Sequence, residues 1–150
     1  MIYMLDTDAV IFLARGSKST RPRQQRERAR LLASRCQKAQ LEGDIVGLSA
    51  ITISELEYGA RYRYGGHYET EISLIRRLTG PFERFDFDAL SCPERYGQAR
   101  HDLEQRGKTI GAFDLLIAAH ALALHATLVT NNIAHFSRVA GLSTENWLAS

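Results

Sequence analysis

Residues 2–13 read Ile-Tyr-Met-Leu-Asp-Thr-Asp-Ala-Val-Ile-Phe-Leu, and this stretch decides the fold. Ile2 to Leu5 is a short apolar run without a helical period, which predicts a buried strand. The pattern becomes helical from Ala9 to Leu13, with Thr7 or Asp8 placed to cap the helix. A buried strand that passes directly into a helix is typical of the opening of an α/β domain.

The same alternation continues along the chain. Further buried strands are predicted at Ile45–Ser49, near Phe85–Phe87 and at Thr127–Thr130. Helices are predicted from Pro22 to about Glu42, from Thr52 to about Arg63, from Tyr68 to Leu78, from about Ala89 to Arg106 and from Asp114 onward. Short apolar strands that alternate with helices predict the α/β class, with a central parallel β-sheet flanked by helices on both faces.

Composition narrows the class of protein. A chain of 150 residues, 45% of them hydrophobic, suits one globular domain. No stretch is long and apolar enough to span a membrane, and the first residues do not resemble a signal sequence, so we expect a cytoplasmic location. Cys36 and Cys92 lack the spacing of a zinc site and are predicted to be buried thiols. The glycine-rich signatures of nucleotide-binding domains are missing.

Positive charge is concentrated in one segment, from Arg15 to Asp44. It contains nine Lys or Arg residues and three acids, whereas the whole chain has a net charge of only +2. The arginines stand at positions 21, 23, 26, 28, 30 and 35. They favour either a phosphate-binding helix or an ordinary solvated helix face, and both interpretations stay open.

Acidic residues follow the predicted strands. Asp6 ends the first strand, Glu55 lies in the first turn after the second, and Asp114 begins the most apolar helix. Asn131 and Asn132 follow the last strand. Because ligands bind beyond the carboxyl ends of parallel strands, we expect these oxygen-bearing side chains to converge.

Carboxylates that converge repel one another unless a cation lies between them. Hard oxygen ligands select Mg²⁺ or Mn²⁺, which can activate water for phosphodiester hydrolysis.

Each acid also has a purely structural explanation. Asp6 fits a turn, and Asp8 fits a helix cap better than a metal ligand. Thr52 and Glu55 have the spacing of a capping box, and Asp114 would be stabilised by the positive end of its helix. No single acid therefore establishes a metal site.

Four blocks of sequence, in order, carry a more specific pattern. They are Met4–Asp8, Ser49–Gly59, Gly107–Leu122 and Thr127–Val139. Together they resemble the motifs of VapC-type toxins of the PIN domain family across nearly the whole chain. The resemblance implies a single PIN domain over residues 1–150, with a longer basic helical segment at about 15–44.

The resemblance also implies an Mg²⁺-dependent endoribonuclease, with Mn²⁺ as a substitute. Asp6 and Asp114 would be the main metal ligands, and Glu55 a metal-site acid that orients the attacking water. Asn132 stands where many PIN proteins have a fourth acid, so its neutral amide leaves the number of metal ions open.

Further expectations concern the substrate and partners. Lys108, His135 and Arg138 lie in the flanking motifs and are predicted to touch the scissile strand. Thr7, Thr130 and Asn131 are predicted to be further substrate contacts. The family resemblance implies a structured RNA substrate such as tRNA, a VapB-type antitoxin that covers the acidic groove, and a homodimer.

Two other functions remain as alternatives. The five histidines allow a metal-free ribonuclease that uses a histidine pair, although His120, within an apolar helix, is predicted to be a core residue. The second alternative is a non-catalytic RNA- or DNA-binding module, which would not need Asp6, Glu55 and Asp114.

Overall fold

The computed structural model describes residues 1–148, apart from the side chains of residues 64 and 65. In chain order the elements are β1 (Ile2–Leu5), α1 (Thr7–Gly16), α2 (Arg23–Leu41), β2 (Ile45–Ser49), α3 (Ala50–Tyr64), a 3₁₀ turn (Gly65–His67), α4 (Tyr68–Thr79), β3 (Glu83–Phe85), α5 (Ser91–Gln105), α6 (Ala112–Leu124), β4 (Thr127–Val129), α7 (Ile133–Phe136) and β5 (Ser143–Glu145). The predicted alternation of strands and helices is confirmed. Two short elements near the end of the chain, α7 and β5, were not predicted, because neither is long enough to show a period.

All five strands are parallel, in the order β3-β2-β1-β4-β5. The central strand is β1, whose Leu5 pairs with Leu48 on one side and Val129 on the other. Along the chain, β2 and β3 are added on one side of β1, and β4 and β5 are then added on the other side of β1. Ligands bind at the carboxyl ends of strands where the order reverses in this way.

Helices cover both faces of the sheet, as predicted. Because successive side chains of a strand point to opposite faces, Leu5, Leu48 and Val129 belong to one core cluster, with residues of α1 to α4. Met4 and Leu128 belong to the other, with residues of α5 and α6. The three central strands, β2, β1 and β4, are therefore buried on both faces, which accounts for their largely apolar sequence, whereas the edge strands β3 and β5 are polar and mostly exposed.

The third strand lies two residues earlier than predicted. It spans Glu83–Phe85, and its residues pair with Gly47 to Ser49 of β2. A Cβ atom at position 47 would lie 2.4 Å from Cε2 of Phe85 and 2.8 Å from the carbonyl oxygen of Glu83. The ring of Phe85 thus occupies the space that a side chain on Gly47 would fill, which places β3 at this register.

Two cap predictions were wrong. Helix α1 begins at Thr7, so neither Thr7 nor Asp8 caps it; the cap is Asp6, whose Oδ1 accepts a hydrogen bond of 2.8 Å from the Ala9 amide. Helix α3 begins at Ala50, so the capping box from Thr52 is also wrong. In both cases the helix follows its strand without a loop, so the capping position lies at the end of the strand.

Two acids lie further along their helices than predicted. With α3 starting at Ala50, Glu55 lies in its second turn rather than its first. With α6 starting at Ala112, Asp114 is its third residue rather than its first. Both acids still lie near the carboxyl edge of the sheet.

Several burial predictions are confirmed. Cys36, Cys92 and His120 are each no more than 1% exposed. The long helix predicted from Pro22 to about Glu42 is α2, which packs through a stripe of small and apolar residues and leaves most of its arginines exposed or half-exposed. None of the helices within residues 1–148 has the length and apolarity to cross a membrane.

Candidate active site

Five carboxylates line one cleft: Glu71 of α4, which is buried in an ion pair, and four others near the carboxyl edge of the sheet. Asp6 follows β1, Asp8 lies in the first turn of α1, Glu55 in α3 and Asp114 in α6. The cleft has a volume of about 480 Å³ and runs from these acids between α1, α3 and α4. The convergence of Asp6, Glu55 and Asp114 expected from the sequence is therefore present.

Asp6 is the most buried of these acids, with only 4% of its surface exposed. Besides the Ala9 amide, the side-chain hydroxyl of Thr130 hydrogen-bonds to its carboxylate. The pKa of Asp6 is raised to about 6, chiefly by burial; the two hydrogen bonds act to lower it, and the charges of Asp8 and Asp114 act with burial to raise it. The fold thus holds this carboxylate where its charge is poorly solvated.

Glu55 is held by a neighbouring threonine. The Thr7 hydroxyl donates to Glu55 Oε1 at 2.7 Å and lies 3.2 Å from the hydroxyl oxygen of the buried Thr52. Burial raises the pKa of Glu55, the hydrogen bond from Thr7 lowers it, and the charges of Asp114 and Asp8 raise it. Thr7, predicted as a substrate contact, positions an acid of the cleft.

Asp114 is more open to solvent and has a histidine partner. His135 Nε2 lies 3.1 Å from Asp114 Oδ2, and 42% of the Asp114 side chain is exposed. Burial raises the pKa of Asp114, an effect that His135 opposes and Asp8 reinforces. His135, predicted to touch the scissile strand, is therefore placed directly beside a proposed metal ligand.

The fourth acid at this edge is Asp8. It is exposed, and its charge raises the pKa of Asp6, Glu55 and Asp114 alike. From the sequence, Asp8 was assigned to capping, because an acid just before a helical pattern fits a helix cap better than a metal ligand. Only the observed cap at Asp6 shows that Asp8 is left to face the cleft.

Asn132 lies outside the set of residues that line the cleft. It precedes α7, its side chain is exposed, and its backbone amide donates to Thr130 Oγ1 at 2.9 Å. Asn131 is also exposed, and its Oδ1 accepts a hydrogen bond from Asn146. Thr130, which is fully buried, thus connects the loop after β4 to Asp6.

Lys108 lies in the loop between α5 and α6, and Arg138 contacts the same loop. The guanidinium of Arg138 donates to the carbonyl oxygen of Thr109, and the Arg138 carbonyl accepts from Arg106. Lys108 is exposed in the same loop. Neither residue lines the cleft, so the structure does not bring them together with the four acids.

The aromatic part of the cleft was not predicted from the sequence. Tyr58 and Tyr62 of α3 and Phe113 of α6 line it, together with Arg15 and Arg63. The available signal was the spacing of Glu55, Tyr58 and Tyr62, which are three and four residues apart and so share one face of a helix. That signal does not by itself distinguish a cleft from a core.

The donors at this edge suit a hard divalent cation, although they are spread apart. All four are carboxylates, whose oxygens Mg²⁺ and Mn²⁺ prefer. Among residues 1–148, no three His, Cys, Asp or Glu side chains form a group that could hold a metal ion. Mg²⁺ commonly keeps several waters and binds through one or two carboxylates, so this spread fits it.

Comparison with known proteins gives the same family. The model of the PIN domain matches residues 3–142. The chain is 37% identical to the Ribonuclease VapC2 of Rickettsia felis over 150 residues, covering 98% of each protein. It is 32% identical to the tRNA(fMet)-specific endonuclease VapC of Shigella flexneri, covering 97% of each.

A solved structure agrees with these sequence matches. The structure of VapBC-1 from nontypeable Haemophilus influenzae superposes with a TM-score of 0.81 at 34% identity, over 99% of this chain and 100% of that one. The match therefore extends over the whole fold, including every element that carries an acid of the cleft. The chain belongs to the PIN domain family and, within it, to the VapC-type ribonucleases.

Proposed function

We propose that this chain is a metal-dependent endoribonuclease that acts as the toxin of a VapBC-type toxin–antitoxin pair. The observation that carries the proposal is the convergence of Asp6, Glu55 and Asp114 in one cleft at the carboxyl edge of the sheet. Carboxylates whose pKa values are raised by burial and by one another gain from a cation. A metal-dependent nuclease uses such a cation beside the scissile phosphate.

Mg²⁺ is the proposed cofactor, with Mn²⁺ as a substitute. When bound, it would neutralise charge on the phosphate and lower the pKa of a bound water. Asp6 and Asp114 would hold it, with Glu55 completing the acidic site. Asp8 supplies a fourth negative charge at the same edge, where the neutral Asn132 supplies none.

The protein's own residues would organise the attack of water on the phosphodiester. Glu55, held by Thr7, orients the water and accepts its proton. The new bond forms between the water oxygen and phosphorus, and the bond from phosphorus to the 3′ oxygen breaks. The leaving oxygen takes up a proton, so the products are a 3′-hydroxyl and a 5′-phosphate.

The proposed substrate is structured RNA such as tRNA, which the name of the Shigella flexneri relative supports. Cleavage of such RNA would inhibit translation and growth. His135 is the best placed of the predicted substrate contacts, because it lies beside Asp114. Lys108, Arg138 and Asn131 would contact RNA only outside the cleft, and Thr130 is buried and acts through Asp6.

The proposed partner is a VapB-type antitoxin, because the matched Haemophilus influenzae structure is of VapBC-1. A basic side chain of the antitoxin inserted among the four acids would compete with the metal ion. A homodimer and a cytoplasmic location stay predictions. Light scattering of the isolated protein tests the homodimer, and a mass of one 16.9 kDa chain would contradict it.

The decisive experiment is cleavage of total small RNA by purified, antitoxin-free protein with Mg²⁺, with Mn²⁺ and with EDTA. Asp6→Asn and Asp114→Asn are tested beside it. Asp88→Asn is the matched control, because Asp88 is an exposed acid that hydrogen-bonds Ser91 at the start of α5, away from the cleft. Cleavage should require metal, fall by at least about a hundredfold in the first two variants and persist in the control.

Two other outcomes of this experiment would favour the metal-free ribonuclease or the non-catalytic module. Full activity in EDTA would indicate a metal-free histidine mechanism. That mechanism would have to use the four histidines other than His120, since His120 is fully buried. A folded protein that binds RNA but cuts none under any metal would be the non-catalytic module.

A further inference from the structure

The face of α3 that carries Glu55 also carries two tyrosines. Tyr58 and Tyr62 follow Glu55 by three and seven residues, which places them on the same side of the helix, about 4.5 and 10.5 Å further along its axis. All three residues line the cleft. A chain bound at the acids and running along the cleft would therefore meet these two rings in succession.

Both rings are exposed rather than used in the core. Tyr58 is 67% exposed and Tyr62 is 75% exposed, and the two rings stack with centroids 5.7 Å apart and planes 21° apart. Phe113, next to Asp114 on the wall formed by α6, is 58% exposed. Three large aromatic side chains open to one cleft mark a binding surface, because a folded chain otherwise buries such area.

Besides its five acids, the cleft has cations and space for nucleotides. Arg15 and Arg63 line it, so it offers two cations for phosphates as well as aromatic faces for bases. A Cβ atom at Gly59, on the same helix face, would meet no atom within 4 Å. A cleft of about 480 Å³ is within the range of pockets that hold small-molecule ligands, roughly 300–1,000 Å³.

We infer that Tyr58 and Tyr62, with Phe113 opposite, form a stacking site for unpaired bases of the RNA next to the scissile phosphate. The inference rests on the proposed ribonuclease function and names the part of the substrate that the cleft accepts. A ring stacks on the face of any base, so the site selects unpaired nucleotides rather than a particular sequence. Cleavage would therefore be directed to loops and bulges of a structured RNA.

The test is equilibrium binding of a short unpaired oligoribonucleotide that contains 2-aminopurine, whose fluorescence falls when it stacks. It is measured in EDTA on the Asp6→Asn background, which prevents cleavage. Tyr58→Ala and Tyr62→Ala should each weaken binding about 5- to 150-fold, the equivalent of 1–3 kcal/mol per stacked base, and reduce the quenching. Tyr58→Phe and Tyr62→Phe keep the ring and should bind and quench like the parent.

Two controls complete the test. Tyr96→Ala removes a tyrosine of α5 outside this cleft and should leave binding unchanged. A duplex of the same sequence should bind the parent and the alanine variants equally, since its bases are already stacked.

Normal RNA binding by both alanine variants would overturn the inference. Loss of antitoxin binding with RNA binding intact would also overturn it, since the aromatic surface would then be a protein-docking site. Equal losses in the alanine and phenylalanine variants would do the same by assigning the effect to the hydroxyl groups. RNA cleavage by the wild-type chain separates these outcomes from failure of the ribonuclease proposal, in which the wild type would cut no RNA under any metal.

Discussion

Asp6 caps a helix, but the negative charge that its proposed chemical role requires costs free energy in the folded chain. Its carboxylate caps α1 through the Ala9 amide and lies almost fully buried between β1 and β4. Raising its pKa from 3.8 to about 6 corresponds to a cost on the order of 3 kcal/mol for ionising it in the folded chain. A neutral side chain could cap the helix without that cost, so the charge is explained by the site rather than by the fold.

The stability of the metal-free protein should therefore depend on Asp6 with a definite sign. Because its pKa is higher in the folded chain, the folded chain binds more protons between about pH 4 and pH 6. The contribution of Asp6 to stability is thus fully present below about pH 4 and is lost as pH rises through about 6. Asp6→Asn keeps the cap and should melt at a higher temperature than the wild type at pH 7.5, but not at pH 4.

Thermal unfolding in EDTA, followed by circular dichroism from pH 4 to pH 8, measures this difference. Asp88→Asn serves as the control, because Asp88 is exposed and its pKa is lowered by hydrogen bonds from Ser91. An Asp6→Asn protein that is less stable than the wild type at pH 7.5 would show that the buried charge stabilises the fold.

At the scale of elements, two glycines of the second β–α unit test how the sheet and the cleft are built. Gly47→Ala should destabilise the chain by about 1–3 kcal/mol, because the added methyl group meets the Phe85 ring and the Glu83 carbonyl. Gly59→Ala, within α3, should stabilise it by up to about 1 kcal/mol, because alanine favours the helix and meets no neighbour.

Urea unfolding of both variants measures these free energies. Equal effects of the two substitutions would mean that β3 can move away from Gly47 at little cost.

The basic helix α2 allows a second prediction at this scale. Its ion pairs are Arg23–Glu27 and Lys38–Glu42, whereas no carboxylate of the described residues pairs with Arg28, Arg30 or Arg35. If these three arginines bind phosphates, replacing all three with glutamine should reduce the slope of log K against log salt by about 0.7 for each arginine–phosphate pair that is removed.

RNA binding at several salt concentrations gives that slope. Arg77→Gln, an exposed arginine on α4, is the control for general loss of charge. An unchanged slope would assign the arginines of α2 to an ordinary solvated face.

At the scale of the whole molecule, the order of the strands creates the acidic edge. The residues Asp6, Glu55 and Asp114 are separated by up to 108 positions. They meet because β1 lies between β2 and β4, with all carboxyl ends on one side. A cation bound at that edge would connect α1, α3 and α6 and oppose their separation on unfolding.

Saturating Mg²⁺ should therefore raise the melting temperature of the wild type. Binding at a hundred times the dissociation constant contributes about 2.7 kcal/mol, which corresponds to a rise of roughly 5–10 °C for a chain of this size. The double variant Asp6→Asn with Asp114→Asn should gain nothing, when NaCl of equal ionic strength is the reference. An equal rise in wild type and double variant would place the Mg²⁺ effect elsewhere.

Much of this organisation is readable from adjacent residues. The apolar run before Asp6 and the helical period after it are local properties, and they sufficed to predict β1, α1 and the parallel sheet. The same is true of β2, α2 and β4, and of the burial of His120 within the apolar α6. The convergence of the three acids followed from one general property of parallel sheets.

The details of the site required the tertiary structure. The sequence could not assign the α1 cap to Asp6, pair Thr7 with Glu55 or place His135 beside Asp114, because each choice depends on where a strand ends or on a distant segment. For the same reason, the sequence did not predict that Asp8 lies in the cleft or that Tyr58 is exposed. Local order is encoded by neighbours in the chain, whereas burial and the electric field at a carboxylate sum over every residue that folding brings near it.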